Sequence, residues 1–224
     1  MLSFKKKLAC ANSLACANES QTELVDQDTL NEALFSGFLF ATALMGVSLA
    51  LYGPVCAILS KNKSNKGLDL SIFLITLAAI IVSSIVFATI AESSYSSEDE
   101  IRYVLYGMGV GFLVAALEIM LCILFTVFDY PAIVEKVVTS LSVIAAIVSI
   151  ISNLFVLGTG DQIATIISEG LDAVAVFIGV FSIAVLAQDV EVKFIRTGIF
   201  CIASLILSIV FLSEGAIYPI LKPE

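Results

Sequence analysis

Long apolar runs separated by short polar segments organise the chain from residue 34 onward. The runs cover residues 34–60, 68–91, 102–128, 132–157, 163–187 and 194–213. Each reaches the roughly 20 apolar residues that a helix needs to cross the hydrocarbon core of a bilayer. Helices satisfy their own backbone hydrogen bonds in lipid. The pattern therefore predicts an all-α integral membrane protein, built as a six-helix transmembrane bundle over residues 34–224.

Polar residues ahead of three runs have the spacing of capping boxes, which predicts that helices begin there. The pairs are Thr29 with Glu32, Ser97 with Glu100, and Thr159 with Gln162. Residues 1–33 are polar, and we expect a flexible N-terminal tail. A targeting segment is the alternative, because Lys5, Lys6 and Lys7 precede a stretch of small residues without acids.

The composition excludes several classes of protein. Only 14% of the residues are charged and the mean hydropathy is +1.06, whereas soluble domains carry about 25% charged residues. A net charge of -9 without a basic face argues against a nucleic-acid partner. The chain has no histidine, which excludes imidazole metal sites and histidine-based catalysis. No metal or cofactor is expected, and an enzyme is not favoured.

Loop charges predict how the chain is oriented in the membrane. Lys61, Lys63 and Lys66 lie in the first loop, and short loops rich in lysine and arginine usually face the cytoplasm. Bases also lie in or beside the third and fifth loops, at Lys136, Lys193 and Arg196. The second and fourth loops are mainly acidic. Both termini are therefore expected on the side opposite the cytoplasm; which membrane holds the protein stays open.

One stretch resembles a known transporter repeat. Pro54, the pair Lys63-Ser64, and Gly67-Leu68-Asp69-Leu70-Ser71 are similar to the PQ-loop repeat of SWEET-like and lysosomal solute transporters. The similarity covers residues 53–71, with Val55 where the glutamine of the motif would lie. A fainter second similarity spans 157–172 and lacks the proline. The resemblance implies 3+3 helix repeats and alternating access, although three spans that directly follow three would make the second repeat inverted.

The same stretch predicts a hinge or gate. Pro54 removes a backbone donor near the end of the first run. Gly53 adds conformational freedom beside it, and Gly67 lets the chain turn into the second run. The alternative is a kinked helix end without a further role.

Two polar residues inside the spans are candidate contacts for a solute or proton. Glu118 lies in the middle of the third run, where a charged side chain costs about 2.5 kcal/mol or more. It is expected to bind a small polar solute or a proton. The alternative is an interhelical hydrogen bond to Ser149, Ser152 or Asn153. Asn153 is itself a candidate solute contact, with hydrogen bonding between helices as its alternative.

Glu169 and Asp172 lie early in the fifth run and three residues apart, on one helix face. They predict either the border of an aqueous vestibule or a helix start that faces solvent, where acids favour the helix dipole.

Gly107 and Gly111 have the Gly-x-x-x-Gly spacing that allows two helices to approach closely. The contact is expected within the bundle, in a homo-oligomer or in a larger membrane complex.

Together these features favour a small-solute membrane carrier that works by alternating access around a midplane polar site. The alternative is a non-catalytic accessory or structural subunit of a larger membrane protein complex.

Overall fold

The computed structural model describes residues 27–60, 66–95, 97–124, 128, 130–159, 162–186 and 190–221. These residues form six helices and contain no strand. The helices are α1 (Gln27–Ser60), α2 (Lys66–Ser94), α3 (Glu98–Ile123), α4 (Ala132–Thr159), α5 (Gln162–Leu186) and α6 (Val190–Leu221). The first lysine-containing loop at 61–65 lies outside the described residues.

Each of the six helices is long and apolar enough to cross a membrane, which confirms the predicted multi-pass helical fold. Some predicted boundaries were too narrow. Residues 27–33, expected in the tail, already belong to α1, and α6 continues to Leu221. With 34 residues, α1 is about 51 Å long. It therefore extends beyond a hydrocarbon core of about 30 Å into the polar interface, which tolerates its polar first turns.

The predicted helix starts have different outcomes. Ser97 caps α3 in a complete capping box: its hydroxyl accepts from the Glu100 amide at 3.2 Å, and its own amide donates to Glu100 Oε2 at 3.4 Å. The prediction at Thr29 was wrong, because Thr29 lies inside α1. Thr159 is the last residue of α4, and residues 160–161 between it and α5 lie outside the described part of the chain.

Helices α1 and α3 form the centre of the bundle. The most extensive helix pairs are α1 with α3, α3 with α6, and α1 with α5, and α4 is held by α5 and α1. Helix α2 lies at the periphery: 17% of its most apolar segment is buried, against 56% for α3. The centre of the bundle is therefore the place where a polar side chain is shielded from lipid.

The two halves of the chain pack differently. In the first half, α1 lies against α3 along much of its length. The corresponding pair in the second half is α4 and α6, and these make no extensive contact among the described residues. The described helix packing thus does not repeat between the two groups of three helices.

Glycines set the close contact between α1 and α3. A Cβ at Gly107 would overlap the carbonyl oxygen of Leu34, and one at Gly111 would lie 2.8 Å from the Cβ of Ala41. Lipid gives helices no hydrophobic reason to associate, so such backbone contacts carry much of the packing energy. Gly107 and Gly111 are covered by α1 of the same chain, so the contact predicted for them lies within the bundle and not in an oligomer.

Candidate functional site

Asp172 of α5 is the centre of a buried group of polar side chains. It is 0% exposed and accepts hydrogen bonds from two residues of α4. Asn153 Nδ2 lies 3.0 Å from each carboxylate oxygen, and the Ser149 hydroxyl donates to Oδ1. Since a lone carboxylate in this environment is strongly unfavourable, these donors are what allows the acid at this position.

Helix geometry brings these residues together. Ser149 and Asn153 are four residues apart on α4, and Ser168 and Asp172 are four apart on α5, so each pair shares one helix face. A further hydrogen bond joins the two faces: the Ser168 hydroxyl donates to the Ser152 hydroxyl at 3.0 Å. We refer to Ser149, Ser152, Asn153, Ser168 and Asp172 as the polar cluster.

Helix α1 closes the third side of the polar cluster. A Cβ at Gly46 would lie 2.9 Å from the Asp172 carbonyl oxygen and 3.1 Å from the Cβ of Ala175. Further along the same pair of helices, a Cβ at Gly179 would lie 2.5 Å from the Ala50 amide nitrogen. These contacts leave the backbones of α1 and α5 in direct apposition beside Asp172.

Two further acids have buried oxygen atoms without a partner. Glu118 Oε2 and Glu169 Oε1 are inaccessible to solvent and accept no hydrogen bond from the described residues. Glu169 lies one turn before Asp172 on the same face of α5. Both oxygens therefore retain the capacity to bind a proton, a cation or a donor group of a solute.

Glu118 and Asp172 occupy different levels of the bundle. Gly111 of α3 lies opposite Ala41 of α1, and Gly46 of α1 lies opposite Ala175 of α5. With these registers and a rise of 1.5 Å per residue, Glu118 lies about 7 Å along the bundle axis from the level of Asp172. This register places the two acids little more than one helical turn apart in height along the bundle.

No described basic side chain balances these acids. Arg196 pairs with Asp69 and Arg102 pairs with Asp99, while Lys136 is exposed. A buried carboxylate without a base is costly, so the central region favours states in which protons or a bound cationic group neutralise Glu118, Glu169 and Asp172.

These positions correct two expectations about the acids. The side chains that were expected as alternative partners of Glu118 have other partners: Ser149 and Asn153 donate to Asp172, and Ser152 accepts from Ser168. Asp172 is fully buried, so it faces neither a vestibule nor solvent. Asn153 lies in the polar cluster, where it bonds both Asp172 and the Ser149 carbonyl.

Pro54 does not interrupt α1, which continues to Ser60. A proline cannot donate to the carbonyl four residues earlier, here that of Ala50. The Ser142 hydroxyl of α4 donates to this carbonyl at 2.6 Å, and both residues are fully buried. A serine from a neighbouring helix thus replaces the hydrogen bond that the proline removes.

The two glycines of the predicted hinge have different surroundings. A Cβ at Gly53 would overlap the Ser182 hydroxyl of α5, so this glycine permits close packing. Gly67 lies in the first turn of α2 and is exposed, and a Cβ added there would have no neighbour within 4 Å. The structure therefore separates Gly53 and Pro54, which are packed, from Gly67, which is open.

Sequence reasoning missed a buried ion pair at the start of α2 and α6. Arg196 donates to the two carboxylate oxygens of Asp69 at 2.9 and 2.5 Å and to the Tyr52 hydroxyl at 2.8 Å. Its guanidinium also lies 5.8 Å from the centre of the Phe73 ring. The signal was present: two predicted spans that begin on the same side carried charges of opposite sign near their starts.

Comparison with known proteins gives no match to the chain from any family model, curated protein or solved structure.

Proposed function

We propose that this protein is a small-solute membrane carrier resembling the PQ-loop transporters, with its binding region formed by Glu118, Glu169 and the polar cluster. The observation that carries the proposal is the set of buried acids in the centre of the bundle, two of which have carboxylate oxygens without a partner among the described residues. A structural helix contact satisfies its polar atoms, whereas a binding site leaves some of them for a ligand.

The ligand classes that suit this region are a proton and a small polar solute with a cationic or hydrogen-bond-donating group. Carboxylates accept hydrogen bonds when ionised and can also donate one when protonated. Proton binding therefore changes what the region offers to a solute. Such a change gives a physical basis for coupling solute movement to proton movement.

The proposed mechanism uses two helix pairs that would move relative to each other. The polar cluster joins α4 to α5, while α3 packs extensively against α6. Helix α1 lies between these pairs and contacts both α3 and α5. Rocking of the α4–α5 pair against the α3–α6 pair would expose the acids alternately to the two sides of the membrane.

The test is uptake by the purified full-length protein in proteoliposomes. The solutes are a panel of radiolabelled sugars and of neutral and cationic amino acids, and a trapped pH-sensitive dye reports proton movement. Glu118→Gln and Asp172→Asn should each lower uptake at least about tenfold, as expected when a hydrogen bond to a charged group is lost. Glu98→Gln, in the first turn of the same helix as Glu118, is the control that should retain uptake.

Failure to move any solute or proton would refute the carrier proposal. Unchanged uptake by Glu118→Gln would remove that residue from the mechanism. Expression and gel-filtration profiles equal to those of the unmodified protein are required of every variant.

One observation favours the alternative, an accessory subunit of a larger membrane complex. The expected hinge is packed: Ser142 restores the hydrogen bond lost at Pro54, and Gly53 lies against Ser182. Native mass measurement after mild detergent extraction distinguishes the two functions. A carrier is expected to be extracted alone or as a small homo-oligomer. An accessory subunit is expected to be extracted together with other chains.

We further propose that the loop containing Lys61, Lys63 and Lys66 is cytoplasmic and that both termini lie opposite, as the loop charges indicate. A membrane-impermeant thiol reagent applied to cells tests this with Ser64→Cys in a variant that lacks the native cysteines. Labelling is expected once the plasma membrane alone is permeabilised. Labelling of intact cells, or labelling only after every membrane is permeabilised, would reverse the orientation.

A further inference from the structure

A long groove lies between α2 and α6 on the outer side of the bundle, away from the polar cluster. It has a volume of about 790 Å³, and Leu105 of α3 also lines it. The apolar residues along its two edges include Ile81 and Ile85 of α2 and Ile202 and Ile206 of α6. All four are exposed, so the groove opens toward the surrounding lipid.

The lining of the groove runs from Leu77 to Glu92 on α2 and from Ile199 to Tyr218 on α6, about 22 Å and about 28 Å at 1.5 Å per residue. The groove therefore continues past the middle of the membrane. The membrane-crossing part of α2 is Gly67–Ser94, with its middle near Ile81. From Ile81 to Glu92, the last residue of α2 in the groove, the helix rises about 16 Å. Half of a hydrocarbon core about 30 Å thick is about 15 Å. The part of the groove from Ile81 to Glu92 is therefore long enough to hold an acyl chain of one leaflet.

The end of the groove at the membrane surface is negatively charged. Glu92 of α2 and Glu214 of α6 line it, both are exposed, and neither forms an ion pair with a described residue. Arg102 donates to the Gly215 carbonyl at this end, but its charge is balanced by Asp99 at 2.9 Å. A headgroup in this position would meet two carboxylates.

We propose that the groove between α2 and α6 binds a phospholipid whose headgroup ends in an ammonium group, with an acyl chain along the isoleucine-lined walls. The acyl chain lies in the part of the groove between Ile81 and Glu92, and the ammonium group lies between Glu92 and Glu214. An anionic headgroup would be repelled by the same carboxylates. This binding site is independent of the central acids and of the carrier proposal.

The experiment titrates delipidated full-length protein in detergent micelles with phosphatidylethanolamine and phosphatidylglycerol that have identical acyl chains. Native mass spectrometry counts the lipid bound to each chain. Two exposed ion pairs predict a preference of about three- to tenfold for phosphatidylethanolamine. The double variant Glu92→Gln/Glu214→Gln, which leaves the apolar walls intact, should reduce the preference to near one while retaining some binding of both lipids.

A second variant tests the position of the acyl chain. Ala203→Trp places a large side chain in the groove and should lower the binding of both lipids several-fold. Ala79→Trp, at an exposed position of α2 outside the groove, is the matched control and should bind lipid like the unmodified protein.

Three results would overturn the proposal. Equal binding of the two lipids by the unmodified protein would refute the role of the carboxylates. Unchanged binding by Ala203→Trp would place the lipid elsewhere. A dimer that carries no lipid would show that a second copy of the chain covers the groove.

Discussion

Replacement of Ser142 tests how the bundle tolerates Pro54. The Ser142 hydroxyl is the donor to the Ala50 carbonyl, at 2.6 Å, in a fully buried position. Ser142→Ala leaves this carbonyl without the donor that proline cannot supply. An unsatisfied buried group costs about 1–3 kcal/mol in soluble proteins, and hydrogen bonds between membrane helices average about 0.6 kcal/mol with a maximum near 1.7. We therefore expect a loss of about 1–1.5 kcal/mol in the free energy of unfolding.

Combining Ser142→Ala with Pro54→Ala shows whether the loss of stability comes from the missing hydrogen bond to the Ala50 carbonyl. In the Pro54→Ala background the amide of residue 54 bonds to the Ala50 carbonyl within the helix, as in an ordinary α-helix. The loss caused by Ser142→Ala should then fall to a few tenths of a kcal/mol. The difference between the two backgrounds, about 1 kcal/mol, is the coupling energy of this pair.

The assay is reversible unfolding by sodium dodecyl sulfate in mixed micelles, followed by far-ultraviolet circular dichroism. Ser140→Ala is the control, because Ser140 lies on the same helix, is exposed and bonds to the Lys136 carbonyl of its own helix at 3.1 Å. It should change the free energy of unfolding by less than about 0.5 kcal/mol, as expected for a surface position. If Ser142→Ala lowers the free energy of unfolding equally with and without Pro54, Ser142 does not replace the hydrogen bond that the proline removes.

Three further substitutions test the packing, the ion pair and the central acid, all by the same unfolding assay. Gly107→Ala should destabilise the bundle by about 1–3 kcal/mol, because its Cβ would overlap α1. Gly170→Ala, which has open space around it, is the control and should be neutral or slightly stabilising. An equal loss at both positions would contradict the close contact between α1 and α3. Asp69→Asn should cost about 3 kcal/mol or more by removing the carboxylate that neutralises a buried guanidinium. Asp99→Asn, from an exposed pair, should cost less than about 1 kcal/mol. Glu118→Met should raise the free energy of unfolding by about 1 kcal/mol or more, since it removes a buried acid. The same variant should lose uptake. A decrease in stability would indicate a structural role for the acid.

Much of the fold could be predicted from the sequence because each span is specified locally. A helix that crosses lipid must be apolar over about 20 residues, and this requirement is visible without knowledge of any other helix. The start of α3 was also predictable, since Ser97 and Glu100 interact across only three residues. Boundaries such as those of α1 and α6 were less accurate, because hydrophobicity ends at the membrane surface whereas a helix can continue beyond it.

The partners of the buried polar side chains were not predictable in the same way. Asn153 and Ser149 were available to either Glu118 or Asp172, and the choice depends on the relative position of helices that are distant in sequence. Close contacts such as that of Gly46 with α5 help to fix this position. The pairing of Arg196 with Asp69 has the same origin, since residues 127 positions apart meet only after α2 and α6 pack.

The close contacts of α1 and the central acids are connected. Helix α1 lies against α3 around Gly111 and against α5 from Gly46 to Gly53, and the levels of Asp172 and Glu118 fall along the same part of α1. In this arrangement the backbones approach too closely for bulky side chains to intervene, yet acids remain beside them without a described base. An apolar side chain at position 118 would fit a static bundle at lower cost. On the carrier proposal, a ligand or proton would reach the Glu118 oxygen that has no partner among the described residues in another arrangement of α5 relative to α1.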